Sequence, residues 1–569
     1  MVSSGTAPLY PSVDLLVKDQ VASRIHAKDT TLFAFDADAQ EQAKNYMGWV
    51  DLASKPPYPV SSIVEFAQGA IASGMRSVLL IGEGGSTQAP MTITKYNKED
   101  SVTVKFRVLD SDSPVRVRSI MTGLRPESTM VIVSSKSGTT IETRLMLQAV
   151  RAEMEKVLSP EQVTKQLVAI TDPGTELAKI ATEEGWYGLF LGEPSVGGRF
   201  SALSVFGLVP TALVGINIDE FMSHAITAEE ECSKDSADNP AIRLAAFLFD
   251  NSQAGRDKFS FLAPKRGRVL GLWIEQLVAE SLGKCGKGIL PNIEIDPLVL
   301  TEDSGDRVAI MYKTKTDLWD ERKNFEMSYS YMSPDIPCVE YSIENVRELA
   351  EHFVMWEYAI AMCGYLMQVC PFDQPDVAAS KAAVMGILEK GHSEPDFVQD
   401  SIGSLSMGTV EVRLGDEFKG ARSLEVALHA LIDSIQPGDY FALNAFVPFA
   451  GEGRREALET IRHSVATARG VASCLEIGPR YLHSTGQLQK GGPNNGVFLI
   501  VSAGELKDIP LENAPAPSLA SLAKAQAEGD LQILNERGRR CIHVHLPDNS
   551  SIVLRQLGEV VRRICSSLA

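Results

Sequence analysis

The segment TMVIVSSKSGTTIET, residues 129–143, joins a run of apolar residues to a cluster of hydroxyl side chains. Its first part has the β-branched, apolar character of a buried strand. Ser135, Lys136, Ser137 and Thr140 follow where a helix is predicted to begin. Because a helix N-terminus carries free N–H groups and a partial positive charge, these side chains predict a phosphate-binding turn. The alternative is an N-cap with more hydroxyl groups than it needs, since one Ser or Thr suffices for capping.

Outward from this segment, short apolar strands alternate with helical patterns along the first half of the chain. Such alternation is typical of a doubly wound parallel sheet with helices on both faces. In these sheets ligands bind beyond the carboxyl ends of the strands, where this chain places Gly, Ser and Thr residues. The predicted strands are SVLLIG at 77–82, VKFRVLD at 104–110, TMVIVSS at 129–135 and QLVAITD at 166–172.

A second α/β series begins after a polar, acidic stretch at 227–240. We expect an α/β fold with two doubly wound parallel-sheet domains of flavodoxin-like, three-layer αβα architecture and a helical N-terminal extension. The expected bounds are 1–55 for the extension, 56–245 for the first domain, and 246–569 for the second domain with a C-terminal α/β extension. The predicted strands are KFSFLAP at 258–264, RVAIMY at 307–312, YFALNAFVP at 440–448, VFLIVSA at 497–503 and IHVHLP at 542–547.

The composition sets limits on partners and compartment. The 569 residues carry a formal net charge of -19, which argues against nucleic acid or an anionic membrane as a partner. A small anionic metabolite is still compatible, because local backbone donors bind phosphate whatever the net charge. The start, MVSSGTAPLYPSVDLL, lacks the pattern of a secretory leader, and the longest apolar stretch, at 359–370, is too short to span a bilayer. We therefore expect a cytoplasmic protein.

The glycine turn LLIGEGGSTQAP at 79–90 is a second candidate for phosphate contact. Gly85 and Ser86 follow a predicted strand, so the backbone can close around an anion while the Ser86 hydroxyl donates a hydrogen bond. The alternative is a tight connection without a ligand. The GEGGST string lacks the G-x-G-x-x-G spacing of dinucleotide sites, so a dehydrogenase is not expected.

The string SKSGTT, followed by Glu142, resembles the phosphosugar-binding loop of sugar isomerase (SIS) domains, and of glucose-6-phosphate isomerases in particular. This resemblance implies two SIS domains and an isomerase that interconverts glucose 6-phosphate and fructose 6-phosphate. FRVLDSDSP at 106–114 is similar to the isomerase half of fused transaldolase–isomerase proteins, although we expect no transaldolase half because the isomerase pattern occupies the whole α/β series. Other segments similar to family signatures are GEPSVGGRFSALSVFGLVPTAL at 192–213, GLWIEQLVAESLGKCGKGILP at 271–291, PFDQPDVAASK at 371–381 and the HSTGQ string of GPRYLHSTGQLQKGG.

Aldose-ketose isomerisation requires a group that opens the ring, a base that moves a proton between carbons, and a cation that stabilises the enediolate. A carboxylate, a guanidinium and a histidine are suitable groups. Taken alone, each candidate residue has an ordinary explanation as a surface or structural residue. The catalytic roles of these residues therefore rest on the resemblance. It implies Glu280 as the base, Arg199 at the enediolate, and His483 with Lys381 at the ring; Gly85, Ser86, Ser135, Lys136, Ser137, Thr140, Gln276 and Gln374 as substrate or phosphate contacts; and no cofactor or metal.

Three features depart from the pattern of common bacterial members. In those proteins the HS-x-GQ segment precedes the FDQP segment, whereas here His483 follows Phe372. Gln489 stands where a second histidine is expected in the fused subfamily, and Glu83 places a carboxylate within the first glycine turn. We expect Glu83 to point away from the phosphate, or this turn to matter less than the SKSGTT loop.

Two other functions are compatible with the same residues. An isomerase of another phosphosugar, such as mannose 6-phosphate or an amino-sugar phosphate, would use the same groups, because pocket shape distinguishes hydroxyl orientation. A non-catalytic phosphosugar sensor would keep the SKSGTT loop but would not require Glu280, Arg199 and Lys381 together. The resemblance also implies a homodimer that binds a small-molecule sugar phosphate.

Overall fold

The computed structural model begins with helices that bear out the expected helical N-terminal extension. These are α1 (Pro11–Lys18), α2 (Val21–His26) and α3 (Ala37–Tyr46). The Ser12 hydroxyl of α1 donates a hydrogen bond of 2.6 Å to Asp250 Oδ1, which ties the extension to the body of the protein. The structure describes residues 10–97, 104–294, 297–314, 323, 325–327, 329–390, 397–401, 409–448, 451, 453–505, 507–512 and 514–568.

The first sheet is parallel throughout and has the flavodoxin-like strand order β2-β1-β3-β4-β5. In this order the chain reverses direction between β1 and β3, which is where such sheets bind ligands. Its strands are β1 (Ser77–Ile81), β2 (Lys105–Leu109), β3 (Thr129–Ser134), β4 (Leu167–Thr171) and β5 (Gly188–Leu191). Its helices are α4 (Val60–Ala72), α5 (Gly85–Tyr96), α6 (Pro114–Thr122), α7 (Ile141–Met154), α8 (Pro160–Thr164) and α9 (Glu176–Glu183).

The second sheet repeats this order with one strand fewer, as β7-β6-β8-β9. Its central strand β6 leads into helix α13, which packs against α5 of the first unit. The strands are β6 (Lys258–Leu262), β7 (Leu290–Glu294), β8 (Arg307–Thr314) and β9 (Cys338–Ile343). The helices of this region are α10 (Val205–Leu213), α11 (Ile218–Cys232), α12 (Pro240–Gln253), α13 (Arg268–Leu282), α14 (Leu349–Met367) and α15 (Pro375–Lys390).

The expected C-terminal α/β extension is a sheet in its own right, with the order β10-β11-β15-β14-β12-β13. The strands β12 to β15 are parallel and again doubly wound, whereas β10 and β11 form an antiparallel pair at one edge. The strands are β10 (Phe397–Ser401), β11 (Thr409–Leu414), β12 (Tyr440–Phe446), β13 (Ala472–Ile477), β14 (Gly496–Ala503) and β15 (Arg540–Leu546). The helices are α16 (Leu424–Asp433), α17 (Arg454–Arg469), α18 (Gly486–Gly491), α19 (Leu519–Glu536) and α20 (Ser551–Leu568).

The first two sheets share a hydrophobic core, whereas the third sheet contributes to two other clusters, one of which also contains Ala279 of α13 and Leu290 of β7. One cluster runs from Val78 in β1 to Phe259 in β6, whereas Leu443 and Leu499 of the third sheet belong to another. Within the described ranges, no helix combines the length and the apolar character needed to span a bilayer. The expected α/β class with doubly wound parallel sheets is confirmed.

Candidate active site

The predicted phosphate-binding turn lies between β3 and α7, at the switch point of the first sheet. Ser135 is buried, and its Oγ donates a hydrogen bond of 3.1 Å to Thr140 Oγ1. Ser137 is exposed, and its Oγ accepts hydrogen bonds from the backbone N–H and the hydroxyl of Thr139. Within this described loop, Thr140 is the N-cap residue of α7 but makes no side-chain capping bond. The hydroxyl groups are therefore not used as an N-cap, which favours phosphate binding over the capping alternative.

Lys136 points in a different direction from the hydroxyl groups of the same loop. Its Nζ forms an ion pair of 2.5 Å with Asp172 at the end of β4. The same Nζ lies 3.3 Å from the carbonyl oxygens of Glu193 and Pro194. The observed role of Lys136 is thus to connect two loops at the carboxyl edge of the sheet, and its contact with a phosphate stays a prediction.

The first glycine turn packs against three segments that are distant in sequence. Gly84 has a φ of +54°, and a Cβ atom there would lie 2.9 Å from Gln276 Nε2 and 3.2 Å from His483 Cβ. A Cβ atom on Gly85 would lie 2.0 Å from the carbonyl oxygen of Gly198. Glycine is required for this close approach and, at Gly84, for the backbone conformation. The turn therefore gathers candidate residues from three parts of the chain.

Helix α13 presents the predicted base to this turn. Glu280 is buried, and its Oε2 accepts a hydrogen bond of 3.1 Å from Gln276 Nε2, one helical turn earlier. Its other oxygen lies 3.5 Å from Arg199 Nη1, and the two side chains are only 9% and 3% exposed. A charged pair with so little water around it interacts more strongly than a pair at the surface. The structure thus brings together the base and the cation that the sequence analysis proposed separately.

The guanidinium group of Arg199 is fixed by hydrogen bonds on all sides. Its Nε donates to Ser281 Oγ at 2.8 Å, and its Nη1 donates to Gln374 Oε1 at 3.0 Å. Its Nη2 donates to the carbonyl oxygens of Pro371 at 2.5 Å and Asp373 at 2.9 Å. A cation held in this way does not have to reorganise when negative charge develops nearby. Gln374, predicted as a substrate contact, lies in this shell around Arg199.

His483 reaches the site in spite of the inverted order of its segment. It ends a short 3₁₀ helix, Arg480–His483, and its Nε2 lies 3.5 Å from Glu142 Oε1. The same Glu142 oxygen accepts a hydrogen bond of 2.8 Å from Gln526 Nε2 of α19. Burial raises the pKa of Glu142, but the hydrogen bond and charge of His483, with the charge of Lys381, outweigh it and hold that pKa below its usual range. The ionised Glu142 therefore orients the imidazole.

Glu142 and Gln526 are functional candidates that the sequence analysis did not assign. Glu142 was noted only as the residue that follows SKSGTT, and its position in the first turn of α7 was the available signal. No local pattern marks Gln526. Of the remaining predicted residues, Ser86 is buried in the first turn of α5, and Lys381 is an exposed residue of α15 whose charge acts on Glu142.

Glu83 is buried, and its environment weakens the conflict between its carboxyl group and an anionic ligand. Among the described residues, neither of its carboxyl oxygens has a hydrogen-bond partner. Burial, followed by the nearby charges of Asp110, Glu142 and Asp112, raises the pKa of Glu83 well above its usual range. Because the raised pKa disfavours the charged form of this carboxyl group, it repels a phosphate less than an ordinary carboxylate would.

Lys284 lies close enough to Arg199 to be affected by its charge, and the pKa of Lys284 makes the stability of the folded protein depend on pH. Its Nζ donates to the carbonyl oxygen of Cys370 at 2.5 Å and pairs with Asp373 Oδ1 at 2.6 Å. Burial and then the charge of Arg199 lower the pKa of Lys284 from 10.5 to about 8. Between these two values the unfolded chain binds a proton that the folded protein does not, so stability rises with pH across this window.

We expect Lys284→Met to abolish this rise. The wild type should gain up to about 3 kcal/mol relative to the variant between pH 8 and pH 10.5, measured by urea denaturation at several pH values. Lys287→Met is the matched control, because Lys287 is exposed three residues later. Equal pH dependence of the wild type and Lys284→Met would show that Lys284 is protonated normally in the folded state.

Residues 64–288 match the family model described as phosphoglucose isomerase. This segment is therefore similar to phosphoglucose isomerases. It contains the two candidate phosphate-binding turns and also Arg199 and Glu280. Lys381 and His483 lie beyond the matched residues. The predicted resemblance to this family is confirmed, while the likeness to fused transaldolase proteins stays a prediction.

The chain is similar to curated proteins named for the same activity. A glucose-6-phosphate isomerase from Rippkaea orientalis is 28% identical over 376 residues, covering 60% of this chain and 71% of the relative. Another from Fusobacterium nucleatum subsp. nucleatum is 26% identical over 424 residues, covering 66% of this chain and 92% of the relative. A solved hypothetical protein from Thermus thermophilus shares the fold, with a TM-score of 0.56 and 22% identity over 66% of this chain and 97% of that chain.

Proposed function

We propose that the chain is a glucose-6-phosphate isomerase, which interconverts glucose 6-phosphate and fructose 6-phosphate. The observation that carries the proposal is the buried pair of Glu280 and Arg199, whose side-chain atoms lie 3.5 Å apart beside the glycine turn. A base and a fixed cation are the two groups that enediolate chemistry requires. Similar curated proteins bear this name.

The proposed reaction starts with the phosphate group of the substrate. Ser86, Ser135, Ser137 and Thr140 donate hydrogen bonds to it, assisted by the first N–H groups of α7. In a hexose 6-phosphate this group is remote from the reacting carbons C1 and C2. Its binding energy is therefore available to place those carbons at Glu280.

Ring opening falls to His483 and Lys381 in this proposal. The C1–O5 bond breaks as the ring oxygen gains a proton and the anomeric hydroxyl gives up its proton to solvent water to form the carbonyl group. His483, oriented by Glu142, delivers the proton to the ring oxygen. Lys381 assists at the anomeric hydroxyl group of C1.

Proton transfer between the carbons falls to Glu280. Its carboxylate removes the proton from C2 of the open aldose, and the electron pair moves toward C1 to form an enediolate. The Arg199 guanidinium stabilises this anion. Transfer of the hydroxyl proton from O2 to O1 and return of the carboxyl proton to C1 give the ketose and regenerate the carboxylate, so the reaction consumes no redox cofactor.

We extend the proposal to assembly and compartment on the strength of the resemblance. A homodimer in the cytoplasm is expected, with domain boundaries near residues 55 and 245. Size-exclusion chromatography with light scattering measures the oligomeric state, and limited proteolysis locates the domain boundaries.

A coupled assay tests the proposed activity. The wild type is supplied with fructose 6-phosphate in D₂O, and glucose 6-phosphate is followed through a dehydrogenase. We expect turnover with deuterium incorporated at C2, because a carboxyl proton exchanges with solvent before it returns to carbon. Binding without turnover would favour the sensor, and a higher kcat/KM with mannose 6-phosphate would favour an isomerase of that sugar.

A further inference from the structure

We propose that Gln487 is a positioning residue that fixes three catalytic elements relative to one another. This inference rests on the proposed isomerase function, because it concerns the elements that carry Glu280, Lys381 and His483. Gln487 lies on the short helix α18, four residues after His483, and is fully buried.

One side-chain amide reaches the ends of two other helices. Gln487 Nε2 donates a hydrogen bond of 3.1 Å to the carbonyl oxygen of Gly283, which ends α13 three residues after Glu280. The same nitrogen donates a hydrogen bond of 2.7 Å to Asp376 Oδ2, in the first turn of α15, five residues before Lys381. Gln487 Oε1 accepts a hydrogen bond of 3.0 Å from the backbone N–H of Asp376.

These bonds occupy both N–H donors of the amide with protein acceptors. Both hydrogens on Nε2 have an acceptor, and Oε1 has a donor. No N–H group is left over for a substrate, so Gln487 acts through the elements it joins. A glutamate could not replace it, because a carboxylate would face the Asp376 carboxylate and the Gly283 carbonyl without a donor.

The surroundings leave little freedom for the junction to adjust. A Cβ atom on Gly491 would lie 2.5 Å from Asp376 Oδ2, and one on Gly283 would lie 2.4 Å from Leu488 Cα. Arg537 Nη2 donates a hydrogen bond of 2.6 Å to the second oxygen of Asp376, which holds that carboxylate from the other side. Each helix end is thus in direct contact with its neighbours, and a shift of one is passed to the next.

Catalysis is sensitive to small displacements, since misplacement by about 1 Å can cost about 10²-fold in rate. Loss of the Gln487 amide leaves the phosphate loop between β3 and α7 untouched, because Gln487 makes no contact with it among the described hydrogen bonds. We therefore expect an effect on the chemical steps rather than on capture of the sugar phosphate.

Steady-state kinetics of the full-length protein with fructose 6-phosphate test this role in Gln487→Met. We expect kcat to fall about 10- to 100-fold while KM changes less than about 3-fold. The matched control is Gln532→Met, because Gln532 is exposed and, among the described residues, donates a hydrogen bond to the exposed Glu536. Its kinetics should equal those of the wild type. A folded Gln487→Met protein with a lower melting temperature but unchanged kcat would overturn the positioning role.

If near-UV circular dichroism shows that Gln487→Met does not fold, a second variant tests the positioning role. Asp376→Asn keeps the backbone N–H and the side-chain volume but removes the charge that Gln487 and Arg537 hold. We expect a smaller fall in kcat, about 3- to 10-fold, at constant KM. An unchanged kcat would overturn the inference. A wild type without turnover would instead overturn the proposed function, so the two failures are distinguishable.

Discussion

Glu280→Gln should reduce kcat for fructose 6-phosphate by about 10²–10⁴-fold, the usual contribution of a general base. An amide of the same shape still accepts the hydrogen bond from Gln276, so the helix should keep its structure. It cannot take a proton from carbon. KM should change little, because the phosphate loop is unaltered. The coupled dehydrogenase assay measures both constants.

Glu275→Gln is the matched control for this experiment. Glu275 lies on the same helix and is buried like Glu280. Burial, followed by the charge of Glu476, raises the pKa of Glu275 well above its usual range, so the amide replaces a carboxyl group whose charged form is disfavoured. Activity should therefore persist. Equal loss in both variants would indicate a general disturbance of α13, and full activity of Glu280→Gln would exclude Glu280 as the base.

Asp530→Asn should lower the free energy of unfolding by about 3–5 kcal/mol, the cost of leaving one member of a buried ion pair alone. Asp530 Oδ1 lies 2.6 Å from Lys490 Nζ, and the two side chains are 0% and 1% exposed. The asparagine keeps an acceptor for the Tyr481 hydroxyl, which donates to Asp530 at 2.6 Å. The loss of stability therefore measures the cost of leaving the buried ammonium group of Lys490 without a partner charge. Urea denaturation followed by circular dichroism measures it.

Two further variants separate the charge effect from other causes. Asp416→Asn makes the same substitution in an exposed pair with Lys419 and should leave the unfolding midpoint unchanged. Lys490→Met added to Asp530→Asn should restore part of the lost stability, because it removes the buried charge. A double variant no more stable than Asp530→Asn would show that the ammonium is not the source of the loss.

The sequence predicted the central strands well because they are buried on both faces. TMVIVSS was expected at 129–135 and is observed as Thr129–Ser134, and QLVAITD corresponds to Leu167–Thr171. Several edge strands were missed, although β2, which also lies at an edge, was predicted. Gly188–Leu191 is half exposed, and Phe397–Ser401 alternates between exposed and partly buried residues. Leu290–Glu294 contains a proline, which weakens the pattern of a strand.

For the site, the sequence identified side chains with local signatures but not the contacts between them. Arg199 and Glu280 were assigned from separate motifs, and their proximity depends on the packing of the turn at Gly84. Gln489, noted because a histidine was expected there, pairs with Asn444 through two amide hydrogen bonds in the third sheet. Such partners are distant in sequence, so no periodic pattern can indicate them.

The distribution of the site over all three sheets has a consequence for biosynthesis. The SKSGTT loop belongs to a sheet whose strands are close together in sequence, so these strands can pair while the chain is still being synthesised. His483 and the helix with Gln526 follow much later. A nascent chain therefore acquires a place for a phosphate before it acquires the groups that act on the sugar. Enzymatic activity measured in a cell therefore comes from completed chains and not from partly synthesised ones.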